Sequence, residues 1–295
     1  MIPTYNPRAD YLKQTLESVL MQDQDADRLQ IEVVDDCSPE VDVEQMVRSI
    51  VRDRVSFSRN PTNLGLARCW NRCIEQSKGI WVHILHQDDW VLPGFYERLG
   101  ALAESNKESS LIATRSFVVD KDGVIEGVSP RIRALERAGK DVSTLLYDNS
   151  FLFPGVAVRR DFYESYGGFR VDLSYTLDWE FWMRAIWNCG GVVAAEILAC
   201  YRNASGNETE RATRSAEALM DHVRLNNIFA DRYPDFDLGK ARKHLRTLAV
   251  LQAKRYAEQG DYEAERANIE FWRKNSTAGE RLRNALGRVL WTVAG

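Results

Sequence analysis

The residues best suited to chemistry in this 295-residue chain are acids that end apolar runs. In 84-ILHQDDWVLPG-94 an apolar stretch runs into His86, Gln87 and the adjacent carboxylates Asp88 and Asp89. Two like charges side by side repel, and a cation beside them removes the repulsion. Oxygen donors of this kind suit a hard divalent ion, which could also bridge phosphate oxygens. The bland alternative is a helix cap plus a solvated acid, with Asp89 capping a helix begun near Pro93. The position after a buried run moves the reading toward function.

Asp35 and Asp36 repeat the arrangement at the end of 31-IEVVDD-36. An acid there could accept hydrogen bonds from a nucleobase or ribose, although Asp36-Cys37-Ser38-Pro39 is equally good turn chemistry. Thr4, Tyr5 and Asn6, between Pro3 and Pro7, could offer main-chain groups and a hydroxyl to a nucleotide. Asp178 stands in 177-LDWEFWMR-184 among Trp179, Phe181 and Trp182. A carboxylate walled by aromatics gains proton affinity, which suits a general base. Capping of a helix by Asp178 or Thr176 is the competing reading, and Glu180 is a competing base. His86 reads as a metal ligand or a hydrogen-bond partner, His222 as a weaker ligand candidate, and His83 and His244 as structural. No Gly-x-Gly-x-x-Gly or P-loop motif is present.

Elements must bring these residues together. The first 115 residues or so alternate strand-like and helix-like stretches, which predicts an α/β fold with a mostly parallel sheet. Strands are expected at 31–36, 55–60, 80–85 and 111–119, and helices at 10–21, 41–51 and 63–79. In such sheets ligands bind beyond the carboxyl ends of the strands. Thr4–Asn6, Asp35–Asp36, Asn63–Gly65 and His86–Asp89 all fall there. Residues 128–150 are aperiodic and charged, and are expected to form a helix or a loop. A short strand and helix follow in 153–169, a helix in 176–191 and a strand in 192–202. From about Thr213 the pattern is helical only, so a boundary is expected near 205–213.

The composition is that of a globular protein, 44% hydrophobic and 28% charged. A net charge of −4 gives no global basic field for nucleic acid. Five cysteines without a CxxC pair read as reduced thiols, and too few ligands surround Cys69 and Cys73 for zinc. No signal peptide is read at Met1, and no apolar run of about 18 residues occurs in the sequence.

The pieces 3-PTYNP-7, 33-VVDDCS-38, 63-NLGLARCWN-71, 85-LHQDDWVLPG-94, 167-GGFR-170 and 177-LDWEFWMR-184, in this order over about 200 residues, resemble glycosyltransferase family 2. The resemblance implies an inverting enzyme of the GT-A fold, with a catalytic domain at 1–210 and a helical region at 211–295. The nucleotide-sugar half would be about 1–119 and the acceptor half about 120–210. It implies that Pro3, Thr4, Asn6, Asp35, Asp36, Asn63, Arg68 and Asp88 contact the donor. It implies that Asp89, Asp88 and His86 hold Mn²⁺ or Mg²⁺, and that Asp178 is the catalytic base.

This chain departs from the family pattern at His86, where an acid is common, at Leu177, where a Glu is common, and after Tyr201-Arg202, where no histidine follows. Few residues precede Pro3, so Met1 is expected to be an internal start of a longer native protein. The family tendency points to a UDP-sugar donor and a surface-glycan or lipid-linked acceptor. A sugar nucleotidyltransferase would share the architecture but lacks support here, because its Gly-rich, Arg-containing N-terminal loop is missing. A non-catalytic nucleotide- or glycan-binding module is the other alternative. Arg281, Arg283 and Arg288 alternate with Leu282, Leu286, Val289, Leu290 and Val293. That basic amphipathic stripe could touch a membrane or dock on the catalytic domain. The expected location is cytoplasmic, at the inner face of the cell membrane.

Overall fold

Short runs form the first strands, with Ile2, Val33 and Val34 buried. β1 (Ile2–Thr4), β2 (Glu32–Asp35) and β3 (Ser56–Arg59) pair in parallel, in that order, with Thr4 level with Asp35 and Asp35 level with Arg59. α1 (Ala9–Leu20) and α2 (Val43–Val51) connect them. Their buried residues recur at helical spacing, Leu12, Leu16 and Val19 on one and Val43, Val47 and Val51 on the other, and share a core with Ile2 and Val33. This computed structural model describes residues 1–22, 28–51, 54–203 and 208–279.

α3 (Leu66–Gln76) leads into β4 (Trp81–His83), β5 (Trp90–Val91), α4 (Phe95–Ser105), β6 (Leu111–Val119) and β7 (Ile125–Val128). β8 (Val156–Arg159), α5 (Arg160–Tyr166), α6 (Leu177–Cys189) and β9 (Gly191–Arg202) complete the first unit. The second sheet runs β4-β8-β6-β9-β5, with β7 on β6. β6 and β9 are parallel, and its other pairs are antiparallel. The Leu85 amide donates to the Met1 carbonyl at 3.0 Å, which lays the exit of β4 beside β1. The carboxyl ends of β1, β2 and β4 therefore open on one edge.

Residues 129–152 carry two 3-10 turns, Arg133–Leu135 and Ser143–Leu145, pinned by buried Ile132, Leu135, Val142, Leu145 and Leu146. A third, Phe153–Gly155, precedes β8. These turns are too short for periodicity to reveal. The same holds for β5, whose two residues pair with Cys200 and Ala199.

The chain divides into two compact units, Met1–Ser205 and Gly206–Gly295. In the second, α7 (Glu208–Arg214), α8 (Glu217–Arg232), α9 (Leu238–Glu258) and α10 (Tyr262–Asn275) surround a small core of Ala216, Leu219, Leu245, Ala249 and Phe271. Asp237 and Asp261 cap α9 and α10 by accepting from the amides of Lys240 and Ala264. No described helix is long and apolar enough to cross a membrane. The basic stripe at 281–295 lies outside the described residues.

Candidate active site

Three loops at the sheet edge are fastened to one another. Gln87 clips the backbone of Tyr5: its Oε1 accepts from the Tyr5 amide at 2.8 Å, and its Nε2 donates to the Tyr5 carbonyl at 3.2 Å. Asn6, in the left-handed region at φ 44°, donates its amide to Ser38 Oγ at 2.8 Å and accepts from the Glu40 amide through Oδ1. The loops after β1, β2 and β4 thus behave as one surface. Pro3 and Thr4 are buried beneath it, with Thr4 Oγ1 reaching the Val34 carbonyl.

The two acids after β2 do different work. Asp35 is spent internally: it accepts from Ser38 Oγ at 2.5 Å and pairs with Arg59 Nε at 3.2 Å. Asp36 holds the loop before α3, accepting from Asn60 Nδ2 at 2.8 Å, the Leu64 amide at 2.9 Å and the Gly65 amide at 3.0 Å. A carboxylate offers about four lone-pair sites, and three on the buried Asp36 are taken up in holding this loop. Asn63 donates to the Asp36 carbonyl. Gly65, at φ 76°, takes the turn into α3 without a Cβ penalty. Arg68 is exposed on the first turn of α3.

Asp88 and Asp89 also separate. Asp89 is 1% exposed, and its Oδ1 accepts from the Arg202 amide at 2.8 Å. Its Oδ2 is buried without a hydrogen bond and lies 3.6 Å from His86 Nδ1. Burial, and then the charge of Asp88, raise the proton affinity of Asp89 well above the usual carboxylate range. Asp89 does not cap a helix, since Gly94 is the N-cap of α4. Asp88 is only partly buried, and desolvation raises its pKa against the pull of Arg202. His86 stacks on Trp70 and on Phe153, at 5.0 and 4.2 Å between ring centroids, and those two rings also touch each other at 4.4 Å. Burial lowers its pKa to about 4, so the ring is neutral near pH 7.

Arg202, at the end of β9, braces this corner. Its Nε donates to the Asp88 carbonyl at 3.0 Å and its Nη1 to the Lys121 carbonyl at 3.0 Å, while the guanidinium lies over Tyr11 and Trp90. Among the described residues no three His, Cys, Asp or Glu side chains converge as a ready-made metal cage. The donor set instead fits an ion completed by its ligand, because Mg²⁺-type ions are commonly held by one or two carboxylates plus substrate phosphates.

Asp178 sits in the first turn of α6, and its Oδ2 accepts from Asn149 Nδ2 at 3.1 Å. Its Oδ1 accepts from the Trp179 amide at 2.7 Å. Thr176 is the N-cap but makes no side-chain cap bond. The rival base Glu180 is buried and locked to Arg184 at 3.0 Å, and Arg184 also donates to the carbonyls of Tyr166, Gly167 and Gly168. Asn71 grips the same turn, exchanging two bonds with the Phe169 backbone at 2.8 and 2.9 Å. Trp182, one turn beyond Asp178, lies 5.5 Å from Phe153, which also stacks on His86. One aromatic cluster therefore joins α6 to the loop after β4.

Of the remaining histidines, His244 is exposed on α9, whereas His83 and His222 are engaged within the fold. His83 lies between the Tyr96 hydroxyl and the Pro154 carbonyl, at 3.1 and 3.0 Å. His222 bonds the Ala218 carbonyl one turn back on α8. Sequence reasoning missed Gln87, Asn149, Asn71, Arg184 and Arg202 as builders of the site. Their partners lie far away in sequence, 29 residues for Asn149 and 114 for Arg202.

Residues 1–167 match the family model described as glycosyl transferase family 2. An uncharacterized protein of Mycobacterium tuberculosis is 28% identical over 76% of this chain and 72% of its own length. An uncharacterized glycosyltransferase of Haemophilus influenzae is 23% identical over 87% of each. Among solved structures, S. aureus TarS 1-349 in complex with UDP-GlcNAc superposes with a TM-score of 0.57 at 19% identity, over 94% of this chain and 91% of TarS 1-349. Mannosyltransferase PcManGT from Pyrobaculum calidifontis, in complex with GDP-Man and Mn²⁺, gives 0.56 at 17% identity, over 98% and 78%. These likenesses carry the GT-A fold. With more than half its length matched by the family model, the chain belongs to glycosyltransferase family 2.

Proposed function

We propose that this chain is an inverting glycosyltransferase that moves a sugar from a UDP-sugar to a hydroxyl of a surface glycan or lipid-linked acceptor. The observation that supports it most is the fastening of the loops after β1, β2 and β4 into one surface, with the Asp88 carboxylate at its edge. Pro3, Thr4 and Asn6 shape the nucleotide floor, and Asp36 accepts from the base edge. Asp35 holds the turn that presents it. Asn63 and Arg68 flank the donor from the start of α3.

Asp88 would hold the divalent ion, with Asp89 and His86 behind it as the buried pair that fixes the loop. Such an ion, when bound, neutralises charge on a departing diphosphate. Asp178, kept in place by Asn149, takes the proton of the acceptor hydroxyl as that oxygen attacks the anomeric carbon. The bond from that carbon to the diphosphate oxygen breaks on the opposite face, and a nucleoside diphosphate leaves.

The test is a panel of nucleotide sugars incubated with Mn²⁺ and read as free nucleoside diphosphate. Release with a UDP-sugar, lost in chelator and restored by Mn²⁺ or Mg²⁺, is the expected result. Full turnover in chelator would remove the metal from the scheme. Binding of UDP with no turnover of any donor would leave a binding module instead. Asp178→Asn should lower transfer by roughly 10²- to 10⁴-fold while UDP binding survives. Unchanged turnover would reject Asp178 as the base.

A further inference from the structure

α9 is charged unlike the rest of the molecule. It carries Lys240, Arg242, Lys243, Arg246, Lys254 and Arg255, with no Asp or Glu before Glu258, in a chain whose net charge is −4. Its buried face, Ala241, Leu245, Ala249, Ala253 and Tyr256, faces the core of its own unit. Helical spacing turns Lys240, Lys243, Val250, Leu251, Lys254 and Arg255 to the other side, and all six are exposed. Val250 is 36% and Leu251 59% exposed, between the two groups of cations and one turn before Lys254. Lys254 has the exposed Glu258 at 3.8 Å, a solvated pair that contributes little.

We infer that this face of α9 docks on an anionic lipid bilayer. The cations match headgroup phosphates and carboxylates, and each Lys or Arg near such a surface strengthens binding by about fivefold. Val250 and Leu251 enter the boundary between headgroups and acyl chains. A soluble polyanion would satisfy the cations but leave these two side chains in water, so the combination favours a membrane. The inference rests on α9 alone and does not require the transfer reaction.

The test uses the full chain and vesicles, with no donor or acceptor. It should co-sediment with phosphatidylglycerol–phosphatidylcholine vesicles, more weakly as salt rises above ~0.1 M, and not with pure phosphatidylcholine. K243E/K254E should bind at least tenfold more weakly, and Leu251→Ser severalfold more weakly, with unchanged circular dichroism. Failure of the unmodified chain to bind anionic vesicles would overturn the inference. So would undiminished binding by K243E/K254E, which would place any membrane contact outside α9. Capture by heparin without capture by vesicles would replace the bilayer with a polyanion.

Discussion

Removing the Asp36 carboxylate would strand the Leu64 amide and the side chain of buried Asn60, and leave the Gly65 amide with Asn63 Oδ1 alone. Each stranded buried donor costs about 1–3 kcal/mol. Asp36→Ala should therefore lower unfolding free energy by roughly 2–4 kcal/mol in urea titrations, beyond any effect on donor binding. Asn149 calls for a different measurement, because it touches Asp178 and not the sheet core. Asn149→Ala should reduce kcat by about tenfold or more and leave the donor KM unchanged. An altered donor KM with normal kcat would move Asn149 from the base to the donor. The sequence singled out Asp36, Asp88, Asp89 and Asp178 as a set. It did not show that Asp89 lies fully buried beside His86 while Asp88 is only partly buried. Adjacent residues on an irregular loop have no fixed alternation, so that division depends on tertiary packing.

At the scale of elements, the turn 167-GGF-169 is held from two helices, by Asn71 of α3 and Arg184 of α6. Gly168 is the closest approach: a Cβ there would run into the Asn71 side chain. Gly168→Ala should lower stability by roughly 1–3 kcal/mol and loosen α6, seen as faster amide exchange at its first turn. Gly100 is the opposite case. It is exposed within α4, and nothing stands within 4 Å of a Cβ there. Gly100→Ala should raise stability by about 0.5–1 kcal/mol, measurable as a higher Tm. The helices α1, α2 and α3 were legible because each repeats an apolar spacing over several turns, whereas α4 was not assigned. Nor were β5, β7 and the three 3-10 turns, because two to four residues carry no period.

For the molecule as a whole, buried imidazoles make stability depend on pH. Burial lowers the pKa of His83 from 6.5 to about 3, so the unfolded chain takes up that proton first as pH falls. Its contribution is present above pH 6.5 and is lost progressively down to about pH 3. Asp88 and Asp89 have raised values and act in the opposite sense, losing stability as pH rises through the carboxylate range. The difference between the chain and His83→Gln isolates the imidazole. The stability gap between pH 6.5 and pH 5 should shrink in that variant by up to about 2 kcal/mol, at about 1.4 kcal/mol per pH unit. An identical pH slope in both proteins would show that His83 accepts its proton within the folded state.

The ring stack around His86 has an optical consequence. Trp70, His86 and Phe153 pack in mutual contact and Trp182 lies against Phe153, so two indoles are fixed in one chiral cluster beside the loop after β4. Rigidly packed aromatics absorb circularly polarised near-ultraviolet light unequally, and that signal vanishes when packing loosens. The chain thus carries an intrinsic gauge of its own loop order. A near-ultraviolet dichroic band that Trp70→Phe weakens, and that UDP alters, would follow donor entry without any label.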